Sequence, residues 1–478
     1  MIPEEKYLFW VTFLFYILLL IINPSNKITA LAFGLLFIAF YLKLRRFDLS
    51  LLFVFIASLI VGTGKTYPIQ LLPPGVFPLE IFPDGYFANL VITSSHIISF
   101  VMLIYFVREL VLRKSKVLNF RFCLADILLT LFFVFKITSA LFGSRNPELS
   151  LPFEVLSLGG LVLYFYIRFL INPNGKFWRL LAFVFCALIV FESVLAIAQL
   201  AAKSPLYKNL ESQVNIEYFG KAVDESEFTF RPVGTFDHAN ALGIWLASTL
   251  VFLFVFVLKG KSNILWTSFL IGFAVLVTTL SRSAWLGFFA GMGFLVFSSR
   301  KRELFGELID KVWKRRLFVI PALIILFFFF VLPRVEKSFY SFGSDSGAVF
   351  FRHILIKDAV EIIKMHPIFG VGALMNVYEG IFLNLYTTAA SVPLAVHNWY
   401  FSTALENGLP ALTAFVYFTL VSIRNFWYGP AKKQSFFSSI PAAIFCLSLA
   451  AIFQPYINLV MIILLLSAAN SVMIGSRK

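Results

Sequence analysis

A histidine and an asparagine stand side by side where a long polar segment re-enters an apolar run. They are His397 and Asn398, and the run that follows begins at Trp399. An imidazole with an unperturbed pKa of about 6.5 is mostly neutral at pH 7 and can accept the proton of a hydroxyl group. At a boundary between water and lipid, His397 is well placed to meet a substrate that is part sugar and part lipid. The structural alternative is that His397 caps a membrane helix at the interface.

Two arginines lie where a membrane-spanning chain would meet water. Arg282 stands in Ser281-Arg282-Ser283, which is all that separates two apolar runs, and Arg352 begins a segment whose apolar residues recur at helical spacing as far as Lys364. A guanidinium group is always charged and binds two phosphate oxygens at once, and an ionisable residue between spans is a candidate for function. We expect Ser281 to bind substrate beside Arg282. The structural alternative for Arg282 is a side chain that binds lipid head groups.

A third polar motif runs from Arg231 directly into an apolar run. Gly234 allows a tight turn, Asp237 can cap the following helix, and the N-terminus of that helix offers unpaired amides to an anion. His238 and Asn240 add polar groups at the same level. Capping explains Asp237 and Asn240 better than it explains His238 and Arg231. We predict that Arg231, His238 and Asn240, together with Asn398 further along, contact substrate.

The composition shows what kind of scaffold must hold these residues. Of the 478 residues, 60% are hydrophobic and 14% are charged, with a mean hydropathy of +0.87, whereas soluble domains are about 45–50% apolar. The net charge of +15 comes from short basic clusters between apolar runs, a pattern that sets membrane topology and does not indicate nucleic-acid binding. The three cysteines have no close spacing, so neither a disulfide framework nor a metal site is predicted. No cofactor is predicted.

Apolar runs long enough to cross a hydrocarbon core of about 30 Å follow one another along the chain. We therefore predict an all-α polytopic membrane protein with about 12–14 transmembrane helices. The fourteen runs cover residues 7–22, 28–42, 49–62, 89–107, 126–143, 152–171, 179–201, 238–258, 264–280, 283–298, 317–332, 398–423, 439–453 and 456–474. The predicted division is an N-terminal scaffold of about seven helices (1–201), an outer loop (202–237), central helices with the Ser-Arg-Ser motif (238–332), a large outer loop (333–397) and C-terminal helices (398–478).

The basic clusters orient these spans, because positive residues accumulate in short cytoplasmic loops. With the N-terminus inside, most lysines and arginines fall on the inner side, so we predict that both termini are cytoplasmic and that all the polar motifs face outside. The proline-rich segment 63–88 is then an outer loop, either an irregular lid or a plain connector. The two longer outer loops have room for short helices and, at that length, are usually functional. Gly370-Val371-Gly372 is expected to be a flexible turn.

Three ionisable residues fall within predicted spans. They are Lys136, Glu154 and Glu192, and such groups are costly in lipid unless they are paired or face a cavity. A pair between Lys136 and Glu192 would hold two helices together. A structural role is favoured over a catalytic one.

The order of the motifs resembles the O-antigen ligase and polymerase superfamily. The sequence has Gly-Thr-Phe-x-His-x-Asn, then Ser-Arg-Ser-Ala-Trp-Leu-Gly, then an arginine followed by Pro-Ile-Phe-Gly-Val-Gly, and finally His-Asn-Trp-Tyr with Glu-Asn-Gly-Leu-Pro. Each motif is short, but four occur in the same order and on the same predicted face. The resemblance covers roughly residues 230–425.

This resemblance implies an activity and assigns residues to it. Members of the superfamily transfer a glycan from an undecaprenyl-diphosphate carrier to a hydroxyl of a glycan, lipid or protein acceptor, outside the bacterial cytoplasmic membrane and without nucleotide or metal. Arg282 and Arg352 match the two arginines that hold the diphosphate, and His397 matches the histidine that acts on the acceptor hydroxyl. Asn398 is expected to orient the site. Fourteen spans exceed the twelve or so of typical ligases, which leaves the choice between ligase and polymerase open.

The residues alone support the same chemistry. Two fixed guanidinium groups stabilise charge that develops on a leaving diphosphate, and a neutral imidazole raises the reactivity of a sugar hydroxyl. His238 and His353 are competing candidates for the base, but neither stands at a helix start in the loop after Arg352.

The alternative function is a membrane transporter, for instance a flippase of lipid-linked oligosaccharides. The many spans and the charges within them would suit it. However, alternating-access carriers place polar groups near the membrane midplane and often have repeated halves. Here the polar motifs lie on one face and no repeat is present.

Overall fold

The structure, a computed structural model, is helical almost throughout. It describes residues 3–22, 26–60, 64–72, 86–112, 122–171, 173–204, 206, 230–236, 238–260, 262–298, 348–383, 396–428, 439–454, 461–466 and 470. The helices are α1 Pro3–Ile22, α2 Asn26–Leu44, α3 Phe47–Ser58, α4 Ser94–Leu112, α5 Leu124–Thr138, α6 Pro147–Ser157, α7 Gly159–Leu170, α8 Gly175–Ala202, α9 Ala239–Lys259, α10 Asn263–Thr278, α11 Arg282–Ser298, α12 Ala348–Met365, α13 Asn376–Phe382, α14 Trp399–Tyr428 and α15 Ser439–Ala450. A π-helical turn, Ser139–Gly143, follows α5, and a 3₁₀ turn, Ala451–Phe453, follows α15.

Seven helical segments of the described chain are long and apolar enough to cross a membrane. They are Glu4–Ile22, Ser94–Leu112, Leu124–Gly143, Pro147–Leu170, Gly175–Ala202, Ala239–Lys259 and Trp399–Phe426, and four further apolar helices are shorter. The prediction of an all-α polytopic membrane protein is confirmed. The predicted span 317–332 and most of 456–474 lie outside the described residues, as does most of the predicted outer loop 202–237.

The segment predicted as an irregular lid or plain connector is instead part of a hairpin. Strands β1 Gly64–Leu72 and β2 Tyr86–Thr93 pair in antiparallel register, with Gly64 opposite Thr93. The expected irregular structure is wrong for the residues in the two strands, where an edge strand tolerates Pro68 because its missing N–H is not needed for pairing. Residues 73–85 between the strands lie outside the described residues.

The chain forms two compact units, each assembled from three separate stretches. The first comprises Met1–Thr63, Pro173–Phe339 and Lys432–Ala450, and the second comprises Gly64–Asn172, Tyr340–Ala431 and Ala451–Lys478.

Helices α8 and α9 lie at the centre of the first unit and are buried on nearly all sides. Helices α1 and α10 pack on α8, while α10, α11 and α15 pack on α9. Small residues let α11 and α15 approach closely: a Cβ atom added at Gly291 would lie 2.9 Å from Cys446 Cβ. This is the close packing by which helices associate in lipid, where no hydrophobic driving force acts between them.

The second unit is organised around α5 and α14, which pack along each other. A buried polar cluster ties α5 to α7: Arg168 donates to both carboxylate oxygens of Asp126, at 2.9 and 3.1 Å, and Tyr164 Oη donates to Asp126 Oδ1 at 2.6 Å. Because this charge pair is bidentate and further hydrogen-bonded, it can remain buried between apolar helices.

Lys136 and Glu192 each have a partner within their own unit. Lys136 Nζ lies 2.7 Å from Glu154 Oε2, because α5 and α6 are consecutive helices joined by a short turn. Glu192 instead accepts hydrogen bonds from the amide and hydroxyl of Thr235, at 2.9 and 2.5 Å, within the first unit. Lys136 and Glu154 are therefore paired with each other and Glu192 is hydrogen-bonded, and a structural role for the three residues stays a prediction.

Candidate functional site

Helix α14, which begins beside His397, is broken near its middle. Pro410 has no N–H group, so the carbonyl oxygen of Glu406 loses its helical partner. Gly408 has φ 85° and ψ 162°, which is not helical. The helix is therefore two segments, 399–407 and 409–428, although the sequence predicted one continuous span.

The Pro-Ile-Phe-Gly-Val-Gly segment (367–372) binds to this break. The N–H of Val371 donates to the carbonyl oxygen of Leu405 at 2.9 Å, and the N–H of Gly372 donates to that of Glu406 at 2.8 Å. The carbonyl groups that the break leaves without helical partners are satisfied in this way, as buried backbone requires. The prediction of a flexible turn at 370–372 is therefore wrong, because two motifs far apart in sequence form one structural unit.

Two glycines permit this close approach of backbone to backbone. Gly370 has φ 67°, and a Cβ atom there would lie 2.5 Å from the carbonyl oxygen of Leu405. A Cβ atom at Gly408 would lie 2.0 Å from the carbonyl oxygen of Ile368. Both positions combine a positive φ with no space for a side chain, so only glycine fits.

Asn398 caps the first segment of α14. Its Oδ1 accepts hydrogen bonds from the N–H groups of Tyr400 and Phe401, at 3.0 and 3.2 Å. The capping role that was the structural alternative for His397 is thus carried by Asn398, as is typical of an asparagine at this position. The imidazole of His397 is half-buried at the helix start. The expectation that Asn398 orients the site stays a prediction.

Arg352 and His397 stand on elements that share one core. Val396, next to His397, packs in a buried cluster with Ala359 and Ile362 of α12 and with Leu405 of α14. Helix α12 confirms the predicted helical spacing after Arg352. Arg352 lies seven residues before Ala359, which places it on the same helix face about 10 Å away along the axis.

An ion-pair cluster that the sequence did not predict lies beside this core. Arg145 donates to both carboxylate oxygens of Glu379, at 2.5 and 2.9 Å, and His366 Nε2 lies 3.1 Å from Glu379 Oε1. Burial by itself would raise the pKa of Glu379, but the hydrogen bonds and charge of Arg145, aided by His366, outweigh it and lower the pKa below its usual value. The cluster ties the turn before α6 to the end of α12 and to α13.

An apolar groove of about 500 Å³ runs along the second unit beside the break. Leu131 and Phe135 of α5 line one side, and Tyr417 of α14 lines the other. Pro367 and Leu409 lie at its end, where the N–H of Leu409 donates to the carbonyl oxygen of Pro367 at 2.9 Å. The groove therefore begins at the break and continues along two membrane-spanning segments.

Arg282 occupies the predicted tight connection in the first unit. Helix α10 ends at Thr278 and α11 begins at Arg282, and Trp285 Nε1 donates to the carbonyl oxygen of Leu276 at 3.0 Å across the turn. Leu280 has φ 53°, a left-handed conformation that turns the chain sharply. Arg282 itself is half-buried at the helix start.

The motif at the start of α9 lies against this turn. Arg231 donates to the carbonyl oxygen of Thr279 at 2.8 Å and to Asn240 Oδ1 at 2.6 Å. The close approach of α9 is allowed by Gly243, where a Cβ atom would lie 3.1 Å from Ser281 Cβ. Arg231, Asn240 and Ser281 are thus brought together, and the contact of Arg231 with the turn after α10 is not predictable from the local sequence.

The cap of α9 is His238. Its Nδ1 accepts the N–H of Asn240 at 2.9 Å, so the helix begins one residue later than a cap at Asp237 would require. Asp237 lies outside the described residues. A histidine whose Nδ1 accepts a capping hydrogen bond can still present Nε2 to a substrate, so the predicted substrate contact of His238 stays a prediction.

The four motifs form two pairs. The Arg231 motif lies with Arg282 in the first unit, whereas the 367–372 segment and the His397 motif lie with Arg352 in the second. The contacts of Arg231, His238, Asn240, Ser281 and Asn398 with substrate, and the convergence of Arg282 with Arg352, stay predictions. Within the described residues, no three His, Cys, Asp or Glu side chains lie close enough together to hold a metal ion.

Residues 266–416 match the family model described as O-antigen ligase. The matched region runs from α10 into α14 and contains Arg282, Arg352 and His397. The resemblance to the O-antigen ligase and polymerase superfamily is confirmed. Comparison with curated proteins and with solved structures gives no match.

Proposed function

We propose that the protein transfers a glycan from an undecaprenyl-diphosphate-linked donor to an acceptor hydroxyl on the outer face of the bacterial cytoplasmic membrane. The family match supports glycan transfer of the ligase or polymerase type in general. The finer proposal rests on how the helical segment beside His397 is held. Asn398 caps the start of this segment, and the 367–372 segment binds its far end.

His397 acts as the general base. The acceptor oxygen attacks the anomeric carbon of the donor sugar as its proton passes to the neutral imidazole. The bond between that carbon and the diphosphate oxygen breaks, and undecaprenyl diphosphate leaves with the electron pair. A base of this kind contributes about 10²–10⁴-fold to the rate. Asn398 supports it by fixing the helix start rather than by reacting.

Arg282 and Arg352 bind the diphosphate. Charge develops on the bridging oxygen as the glycosidic bond breaks, and two guanidinium groups stabilise that charge without a metal ion. Arg282 is suited to this because its helix start is held by the turn between α10 and α11. Arg231, His238, Asn240 and Ser281 complete the polar surface that holds the donor head group.

The lipid part of the donor requires an apolar path. The groove of about 500 Å³ between α5 and α14 supports this, because it is apolar and begins at the break that ends the His397 segment. The positive-inside pattern supports an inner location of both termini and an outer location of the site.

The structure weakens the case for a transporter. The charges within spans suggested a pathway, but Lys136 and Asp126 are held in buried ion pairs with Glu154 and Arg168. Glu192 accepts its hydrogen bonds from Thr235. The charged residues within the spans thus connect neighbouring structural elements, which is a structural reason for their presence.

The test is transfer by the purified protein in detergent from a synthetic undecaprenyl-diphosphate glycan. Enzyme activity yields a lengthened acceptor together with free undecaprenyl diphosphate. A flippase yields neither, because detergent solution has no two compartments between which a lipid could move.

A further inference from the structure

A carboxylate buried within the membrane-spanning part of the second unit is bound from two sides. Glu154, on α6, has a side chain only 1% exposed. Lys136 Nζ lies 2.7 Å from its Oε2, and Asn407 Nδ2 donates to its Oε1 at 2.7 Å. A buried carboxylate is tolerated only when it is paired and hydrogen-bonded, and both requirements are met here.

Asn407 links this carboxylate to the helical segment that starts beside His397. It is the last residue of the 399–407 segment, ten residues after His397, which is about 15 Å along a helix. Because a helix this short is nearly straight and has no proline within it, we expect a shift at Asn407 to be carried to its other end. Displacement of a catalytic group by about 1 Å can lower a rate by about 10²-fold.

The break makes such an anchor necessary. At Gly408 the helix is interrupted, so the 409–428 segment does not fix the direction of the segment before it. That direction depends on bonds from outside the helix. Ser139 Oγ, just after α5, donates to the carbonyl oxygen of Glu406 at 2.5 Å, and Glu154 binds the neighbouring side chain.

We propose that Glu154 is a positioning residue for His397. By accepting the hydrogen bond of Asn407 it sets the direction of the 399–407 segment, and Lys136 supplies the counter-charge that allows the carboxylate to stay buried. This role rests on the proposed function of His397. It joins two charges outside the motifs of the superfamily resemblance, Lys136 and Glu154, to Asn407 of the Glu-Asn-Gly-Leu-Pro motif.

The first test compares two asparagines on the same helix. Asn407→Ala removes the bond to Glu154, whereas Asn425→Ala removes a bond of 3.1 Å to Asn470 Oδ1 beyond the break. We expect Asn407→Ala to lower kcat at least about 10-fold with KM for the donor nearly unchanged, and Asn425→Ala to leave kcat unchanged. Equal loss in both variants, or loss only in proportion to folded protein, would overturn the proposal.

The second test exchanges donor and acceptor. Asn407→Asp places a second carboxylate against that of Glu154, and the repulsion should abolish transfer. Combining it with Glu154→Gln restores one amide, one carboxylate and the original net charge, so the double variant should recover at least about 10-fold over Asn407→Asp alone. A double variant no better than Asn407→Asp would contradict a direct bond between the two positions.

A third measurement does not depend on activity. Spin labels at Val155 of α6 and Ser402 of α14, in a background without the native cysteines, report the distance between the two elements. Asn407→Ala should broaden this distance distribution and Asn425→Ala should not; unchanged distributions in both would contradict the positioning role. If the wild-type protein shows no transfer, the proposed function fails, and this measurement still decides whether Glu154 fixes the segment.

Discussion

The N–H of Gly372 donates a hydrogen bond of 2.8 Å to the carbonyl oxygen of Glu406. This bond joins a loop segment to a broken membrane helix. It satisfies the carbonyl oxygen of Glu406, to which Pro410 has no N–H to donate. The two sequence motifs it connects are therefore one structural element, which lies at the far end of the helical segment that starts beside His397.

Gly408→Ala should destabilise the protein and abolish transfer. The added Cβ atom would meet the carbonyl oxygen of Ile368 at 2.0 Å, in a backbone conformation with φ 85° that alanine disfavours. We expect the free energy of unfolding to fall by about 2 kcal/mol or more. Thermal unfolding in detergent measures this. Gly293→Ala is the control, because a Cβ atom there meets nothing within 4 Å. Equal stability of Gly408→Ala and wild type would contradict the docked break.

Glu379→Gln should lower stability in a pH-dependent way. Because the pKa of Glu379 is lower in the folded protein than the unfolded value of about 4.3, its stabilisation is fully present above that value and is lost as the pH falls through the folded pKa. At pH 7 we expect a loss of about 1 kcal/mol, since Arg145 is half-exposed and screened by solvent. The difference from wild type should shrink below about pH 4.

The control for this prediction is Glu361→Gln. Glu361 pairs with Lys364 at 2.9 Å, but both side chains are exposed, so its removal should leave unfolding unchanged between acid and neutral pH. If the difference in unfolding free energy between Glu379→Gln and wild type stays constant as the pH falls, the charge of the carboxylate does not contribute to the stability of this cluster.

Arg282→Lys and Arg352→Lys should each lose most of the transfer activity of the wild type. Lysine keeps the charge but loses the planar fork that binds two phosphate oxygens. Rates of transfer and binding of undecaprenyl diphosphate check this, with Arg424→Lys, an exposed position on α14, as the control. Full activity in Arg282→Lys would count against the clamp. So would an experimental structure with the two guanidinium groups more than about 15 Å apart, because direct contacts of about 2.7–2.9 Å could not then reach one diphosphate.

The helices of this fold were predictable because a membrane span needs a long apolar run, and such runs are visible in sequence. The hairpin at 64–93 was not, because prolines such as Pro68 are more typical of loops than of strands. The break in α14 was missed for a related reason. Gly408 and Pro410 both indicate a break, but the apolar run continues past them, and its length predicts one continuous span despite the missing N–H of Pro410.

Contacts between distant residues were the least predictable part. Arg145 and Glu379 are separated by 234 residues, and nothing in either local sequence indicates the other. The pairing of Lys136 with Glu154 depends on how α5 and α6 pack, which hydrophobic periodicity does not determine. The predicted cap of α9, Asp237, is one residue before the observed cap, His238. Both side chains can accept hydrogen bonds from N–H groups, and helix boundaries predicted from sequence vary by a residue or two.

The central claim is that His397 is the base of a glycan transfer reaction. The most direct measurement is the transfer rate of His397→Ala from a purified undecaprenyl-diphosphate donor, measured together with donor binding and beside His353→Ala and His238→Ala. We expect His397→Ala to lose about 10²–10⁴-fold in rate while donor binding stays nearly intact, whereas His238→Ala should act through weaker donor binding and His353→Ala should change neither. Transfer at the wild-type rate by His397→Ala, or a loss that arises only because the donor no longer binds, would contradict the assignment.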